Sequence, residues 1–193
     1  KFFLLKKNIG RTKCLNLGLK KCRANYIAIQ DSDDISKKTR IQTLLSQFEK
    51  DENLGLVASN YNIINEKNII TKKIKIKENL YKYPNKLIFH NLIAHSTIMF
   101  RRKVIDLIGN YPDNFNYAQD YAFYLKIITK FRIKIIKNNL ANLRINHKNS
   151  ETYRLRKSIS VHIEELKLVY WVLKNIKTNF IEKFQIIYKV QII

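Results

Sequence analysis

The sequence predicts an α/β fold, a mostly parallel sheet flanked by helices with a helical extension at its C-terminus. Three observations carry this. Compact β-type runs alternate with helical periodicity through the first third of the chain. The run ending at Ile29 stops directly in a cluster of carboxylates, and ligands of open α/β sheets bind just beyond the carboxyl ends of strands. After Ser158 the apolar period becomes long and helical. A length of 193 residues suits one domain with an appendage, taken as a domain over 1–155 and a helical extension over 156–193. Hydrophobic residues at 46% and aromatics at 11% supply a core and exclude wholesale disorder.

The elements follow in order. Phe2-Phe3-Leu4-Leu5 is a short apolar run, and opening on Lys1 rather than Met it reads as the middle of a longer protein. Residues 11–23 place Cys14, Leu15, Leu19 and Cys22 at helical spacing. The two cysteines lie two turns apart, read as core thiols in a reduced compartment, and lack zinc spacing. Tyr26-Ile27-Ala28-Ile29 is a strand. Ser36 is placed to cap a helix carrying Ile41, Leu44, Leu45 and Phe48 on one face. Residues 54–58 form the next strand, and this alternation implies parallel pairing through right-handed crossovers.

Further along, residues 61–64 and 69–76 flank Asn65-Glu66-Lys67-Asn68, a hairpin signal. A short helix over 87–92, a strand over 96–100 and a helix over 101–108 closed by Gly109 come next. Residues 121–129 carry a helical stripe, and 131–136 and 140–145 read as strands. In the extension Ile163, Leu166, Val169, Tyr170, Leu173 and Ile176 share one helix side, a break falls at 175–179, and a last helix covers 181–193.

The formal net charge is +22, from 37 Lys plus Arg against 15 Asp plus Glu. The basic residues are scattered, and Lys, Asn and Ile are inflated together, so no specific nucleic acid is expected as partner. A phosphorylated substrate or an anionic membrane surface uses the same charge. No stretch approaches the ~20 apolar residues that span a bilayer. The extension suits packing on the core or lying on a membrane. The expected location is cytoplasmic, with a peripheral position at the inner face of the cell membrane as its variant.

Ile29-Gln30-Asp31-Ser32-Asp33-Asp34 is the sharpest local feature. Side chains two apart on an extended segment point the same way, so Asp31 and Asp33 can face one ligand. Bunched carboxylates are unfavourable without a compensating cation or hydroxyls, and hard oxygen donors suit Mg²⁺ or Mn²⁺ bridging to a diphosphate. Asp34 or Ser36 alone fits a helix cap.

Lys7-Asn8-Ile9-Gly10, Leu15-Asn16-Leu17-Gly18 and Tyr26-Ile27-Ala28-Ile29-Gln30-Asp31-Ser32-Asp33-Asp34 together resemble the family 2 glycosyltransferases of the GT-A fold. Arg40 and Gln42, His95-Ser96-Thr97-Ile98-Met99-Phe100-Arg101, Gly109-Asn110-Tyr111, Ala118-Gln119-Asp120-Tyr121 and Arg144-Ile145-Asn146-His147 continue the series in order. The resemblance implies transfer of a sugar from a nucleoside diphosphate sugar to an acceptor hydroxyl with inversion, in surface polysaccharide or glycan synthesis. It implies a nucleotide-sugar donor, a glycan or lipid-linked acceptor, and Mn²⁺ or Mg²⁺ as cofactor. Asn8, Asn16, Asp31 and Asp33 stand where the donor binds, and Asp33 and His147 where the metal is held. Asp120 stands at the catalytic base, and His95 and Ser96 lie on the acceptor side. Gln119 replaces the usual Glu. The first strands of the family, with its uracil- and ribose-binding acids, do not precede Lys1, which implies a fragment or truncated relative inactive by itself. The rival reading is a non-catalytic basic module for phosphate or nucleic acid, derived from a degenerate transferase.

Overall fold

The computed structural model describes residues 3–145 and 159–191. Its elements are α1 (Arg11–Lys21), β1 (Tyr26–Ala28), β2 (Ile35–Ser36), α2 (Arg40–Phe48), β3 (Leu54–Ile64), β4 (Ile70–Ile74), α3 (Lys86–Phe89), β5 (Met99–Arg101), α4 (Arg102–Ile108), α5 (Gln119–Ile127), β6 (Arg132–Arg144), α6 (Ile159–Asn175) and α7 (Phe180–Gln191), with one 3₁₀ turn at His95–Thr97.

The sheet order is β1-β5-β3-β6-β2, with β4 paired to β3. Its α/β character agrees with the sequence, but the sheet is mixed. Among the described residues only β3 and β6 pair in parallel; β5, β4 and β2 each run against their neighbours. The short antiparallel β5 inserts between β1 and β3, which had been expected as parallel neighbours. Residues 54–58 and 61–64 merge into one strand, β3, as do 131–136 and 140–145 into β6. Pairing over ten positions between these two strands carries both through their polar interruptions.

Both faces of the sheet are covered, which explains why β3 is buried along nearly its whole length. Leu56, Ala58, Phe100 and Ile133 pack with Val104 of α4, Phe123 of α5 and Leu168 of α6. Val57, Met99 and Ile136 pack with Leu44 and Phe48 of α2 on the opposite face. Leu54 shares a face with Val57 because the register shifts between Leu54 and Leu56. Gly55 sits in that irregularity, where a Cβ would lie 2.5 Å from the Cβ of Phe131.

Several local expectations are corrected. Phe3, Leu4 and Leu5 form no strand and are exposed. Cys14 and Cys22 are exposed free thiols rather than core groups, because α1 turns Thr12 and Leu19 inward instead. Ser36 lies in β2 rather than capping α2, which begins after Thr39. In α6 the buried positions are Glu164, Leu168 and Val172, so Ile163, Leu166 and Tyr170 of the expected packing stripe face outward. The helix break and the Gly109 stop fall where expected, Gly109 adopting φ 77°.

Candidate active site

The carboxylate cluster begins where β1 ends. A backbone bond from Asp34 N–H to the Asp31 carbonyl (3.3 Å) closes the turn. Two arginines hold this loop. Arg40, 2% exposed, donates from Nη2 to the carbonyls of Ile29 (2.7 Å) and Ile98 (3.0 Å), and from Nη1 to Gln30 Oε1 and Ser36 Oγ. Arg144, at the end of β6, donates its N–H to Asp34 Oδ1 (2.9 Å) and its Nε to the Asp33 carbonyl (3.1 Å). Its Nη1 and Nη2 reach the Asn65 carbonyl and Asn68 Oδ1, both at 2.6 Å, in the β3–β4 turn. Asn68 accommodates that turn with φ 62°.

Asp31 is the most constrained of the acids. Its N–H donates to Ser96 Oγ (3.0 Å), Arg11 Nη2 lies 3.1 Å from Oδ2, and His95 Nδ1 lies 3.8 Å from Oδ1. His95 does most to hold the Asp31 carboxyl below its ordinary value; burial opposes this and the Arg11 guanidinium adds to it. Asp34 is pushed the other way, chiefly by burial and further by the charges of Asp33 and Asp31, against hydrogen bonds from Ser96 and Arg144. Asp33 is exposed at the crest of the loop.

His95 and Ser96 are both buried and stand behind Asp31. His95 Nε2 lies 3.0 Å from Tyr111 Oη, while Nδ1 has no hydrogen-bond partner among the described residues, the 3.8 Å to Asp31 Oδ1 being beyond bonding reach. Burial raises the Tyr111 hydroxyl pKa well above the ordinary value. Through His95, whose Nδ1 lies 3.8 Å from Asp31 Oδ1, this phenol is connected to the Asp31 side of the site.

Asp120 lies in the first turn of α5. Its Oδ1 accepts the N–H of Tyr121 (2.7 Å), and Asn91 Nδ2 stands 3.5 Å from Oδ2. The approach to α5 is held from two sides. Glu164 of α6, 4% exposed, accepts the N–H groups of Asn116 (2.7 Å), Tyr117 (3.0 Å) and Ala118 (2.9 Å). Assigned from its bonding partners, the buried Gln119 amide turns its nitrogen toward the loop, where the carbonyls of Tyr117 and Asn116 stand 2.9 and 3.0 Å away as acceptors. An ionised Glu at 119 has no hydrogen for those carbonyls, which gives the Gln a physical reason.

Asn16 donates to the Tyr111 carbonyl (2.9 Å) and Asp113 Oδ1 (2.7 Å) and accepts the Tyr111 N–H (3.1 Å). It thus fastens the loop that carries Tyr111. Asn8 Oδ1 accepts the N–H of Gly10 (2.9 Å) at the entry to α1. His147 lies outside the described residues. Tyr111 ends the Gly109-Asn110-Tyr111 segment of the motif series, which carried no role for its side chain. Arg11, Asn91 and Glu164 carry no signal in the sequence: Glu164 stands in a helix whose apolar pattern points elsewhere, and the other two are ordinary surface-type residues.

Among the described residues no three His, Cys, Asp or Glu side chains are grouped to hold a metal. Asp33 and its acidic neighbours nevertheless fit a hard divalent cation that takes one or two protein carboxylates and completes its shell with phosphate and water. The Asp34 carboxyl is raised chiefly by burial, with the charges of Asp33 and Asp31 adding to it.

The family described as Glycosyl transferase family 2 matches residues 1–109. Among curated proteins, the chain is 31% identical over 140 residues to the O-antigen biosynthesis glycosyltransferase WbnJ of Escherichia coli, covering 71% of this chain and 54% of that one. It is 29% identical over 176 residues to an Escherichia coli UDP-Gal:α-D-GlcNAc-diphosphoundecaprenol β-1,3-galactosyltransferase, covering 88% and 61%. The chain thus spans little more than half the length of these relatives. Among solved structures, it resembles Staphylococcus aureus TarS in complex with UDP-GlcNAc, with a TM-score of 0.68 at 15% identity over 97% of this chain and 54% of that one. It also resembles the mannosyltransferase PcManGT of Pyrobaculum calidifontis with GDP-Man and Mn²⁺, with a TM-score of 0.63 at 13% identity over 96% and 50%. At these identities the structures establish the shared fold.

Proposed function

Because the chain belongs to glycosyl transferase family 2, we propose that its whole protein transfers a sugar, with inversion, from a nucleoside diphosphate sugar to an acceptor hydroxyl in surface-glycan synthesis. The observation that supports the donor side is the loop after β1, where Asp31 meets Arg11 at 3.1 Å with Ser96 and His95 behind it and Asp33 stands exposed. Asp120, in the first turn of α5 with Asn91 beside it, supports the acceptor-side base.

Asp120 is the base. The acceptor oxygen attacks the anomeric carbon as the bond from that carbon to the diphosphate oxygen breaks, and the hydroxyl proton passes to the Asp120 carboxylate. The electron pair leaves with the nucleoside diphosphate. Asp31 and Asp33 take the donor, and Asn8 and Asn16 support its side through α1 and the 111–113 loop. His95 and Ser96 act from behind Asp31. Asp33, with His147, would hold Mn²⁺ or Mg²⁺. The ion supplies positive charge for the departing diphosphate. That relatives bear names with a diphosphoundecaprenol acceptor supports a lipid-linked acceptor here, used from the cytoplasmic side.

The test uses the full-length protein with UDP- and GDP-sugars. Asp120→Asn is expected to lower kcat by about a hundredfold or more with donor KM nearly unchanged, since a base acts in the transition state. Asp33→Asn is expected to weaken the response to Mn²⁺. Full metal-dependent turnover in Asp33→Asn removes that residue from the metal site, and normal kcat in Asp120→Asn removes the base.

A further inference from the structure

We propose that α6 and α7 seat this protein on an anionic lipid surface through two outward apolar stripes. In α6 the buried Glu164, Leu168 and Val172 define the inward side. At about 100° per residue, Ile159, Ile163, Leu166 and Tyr170 gather on the opposite side, where they are 78%, 47%, 46% and 68% exposed. In α7 the buried Ile186 marks the inward side, and Phe180, Ile181, Phe184 and Tyr188 lie opposite it at 84%, 66%, 64% and 55% exposure. The Phe184 and Tyr188 rings stack with centroids 6.5 Å apart and planes 13° apart, so the apolar surface continues along the helix.

The charges around these stripes select the occupant. Lys167, Lys174, Lys177 and Lys183 are exposed beside them. Among the described residues from 159 onward no carboxylate is exposed: Glu164 is buried and Glu165 and Glu182 are half-buried. Glu182 is engaged inward, accepting from Asn85 Nδ2 (3.2 Å) and the Asn179 N–H (3.0 Å). An apolar face of Phe, Tyr and Ile edged by lysines is the pattern of a helix lying in a headgroup layer. A second copy is a poor occupant, because each chain carries a net charge of +22. Neither helix is long and apolar enough to cross a membrane, so both lie on it.

The experiment is flotation of the complete chain with vesicles of phosphatidylcholine alone or with about 30 mol% phosphatidylglycerol. Binding is expected to the anionic vesicles and to weaken as salt rises. Phe184→Ser with Tyr188→Ser is expected to lower partitioning about tenfold. Lys174→Glu with Lys183→Glu is expected to remove the preference for phosphatidylglycerol. All four side chains are exposed, so an unchanged Tm verifies that each variant folds. Phe184→Trp in a Trp171→Phe background is expected to shift its fluorescence to the blue on anionic vesicles. Failure of the parent chain to bind, or equal binding by the serine pair, overturns the proposal. A dimer dissolved by the serine pair without any lipid binding overturns it in favour of a second copy. None of these readouts uses sugar transfer, so they stand apart from the transferase assignment.

Discussion

Asp31 and Asp34 sit three residues apart in one turn, and their surroundings displace the two carboxyl pKa values in opposite directions. The Asp31 carboxyl is held down by His95 and Arg11. Its folded-state pKa lies below the unfolded value, so its contribution to stability is present above about pH 4 and is lost as pH falls through the folded value. Asp34 is held up by burial and by its acidic neighbours. The unfolded chain ionises that group more readily, so Asp34 opposes folding at neutral pH and ceases to do so below about pH 4. Asp31→Asn is therefore expected to lower Tm at pH 7, and Asp34→Asn to raise it by about 1–3 °C. In a thermal series the Asp34 effect should fade below about pH 4, and the Asp31 effect should diminish as pH falls further. Equal signs at pH 7 would contradict the electrostatic account. Gln119 offers a second residue-scale test. Gln119→Glu faces an acceptor toward two carbonyls, and a loss of about 1–3 kcal/mol in denaturant unfolding is expected. An unperturbed midpoint would mean that the amide is not bonded as described.

At the scale of elements, the helix that bears the candidate base does not position itself. The α5 N-terminus has no side-chain cap from its own N-cap residue, Ala118. Glu164 of α6 binds the three amides immediately before it. An anion at this end also meets the positive pole of the helix dipole. α6 is thus tied to the approach to α5 through Glu164. Glu164→Ala is expected to cost about 1.5–3 kcal/mol, as charge-assisted hydrogen bonds do, and to accelerate amide exchange at residues 116–118 more than in β6. Uniform acceleration across both segments would indicate a global effect only. Arg40 and Arg144 do similar work for the β1 loop, fixing it to β5, β2 and the β3–β4 turn.

For the whole molecule, the dominant fact is its charge. At +22 the folded chain repels itself, and the ion pairs seen among the described residues, Arg11–Asp31 and Arg132–Asp51 with His95 beside Asp31, cannot offset that excess. Screening relieves long-range repulsion while leaving the apolar core unaffected. Tm is therefore expected to rise by several degrees between about 0.01 M and 0.2 M NaCl, read by scanning calorimetry. A Tm that falls with salt would show that local attractions outweigh the net repulsion.

The sequence by itself determined the elements whose signals are local. The β1 run ending in Asp31, Asp33 and Asp34, the α4 stop at Gly109, the Asn65–Asn68 turn and the break between α6 and α7 all follow from short-range periodicity and backbone preference. The ordered motif series also fixed the family. Tertiary structure alone decided the antiparallel insertion of β5, the merging of residues 54–64 into one strand, the exposure of Cys14 and Cys22, and the side of α6 that turns inward. These depend on partners distant in sequence: a strand's direction is set by its neighbour, and a helix with apolar residues on several sides buries whichever side meets the core. Arg11, Tyr111 and Glu164 come beside the candidate residues for the same reason. Each is placed by what stands opposite it, and that pairing is a property of the folded chain.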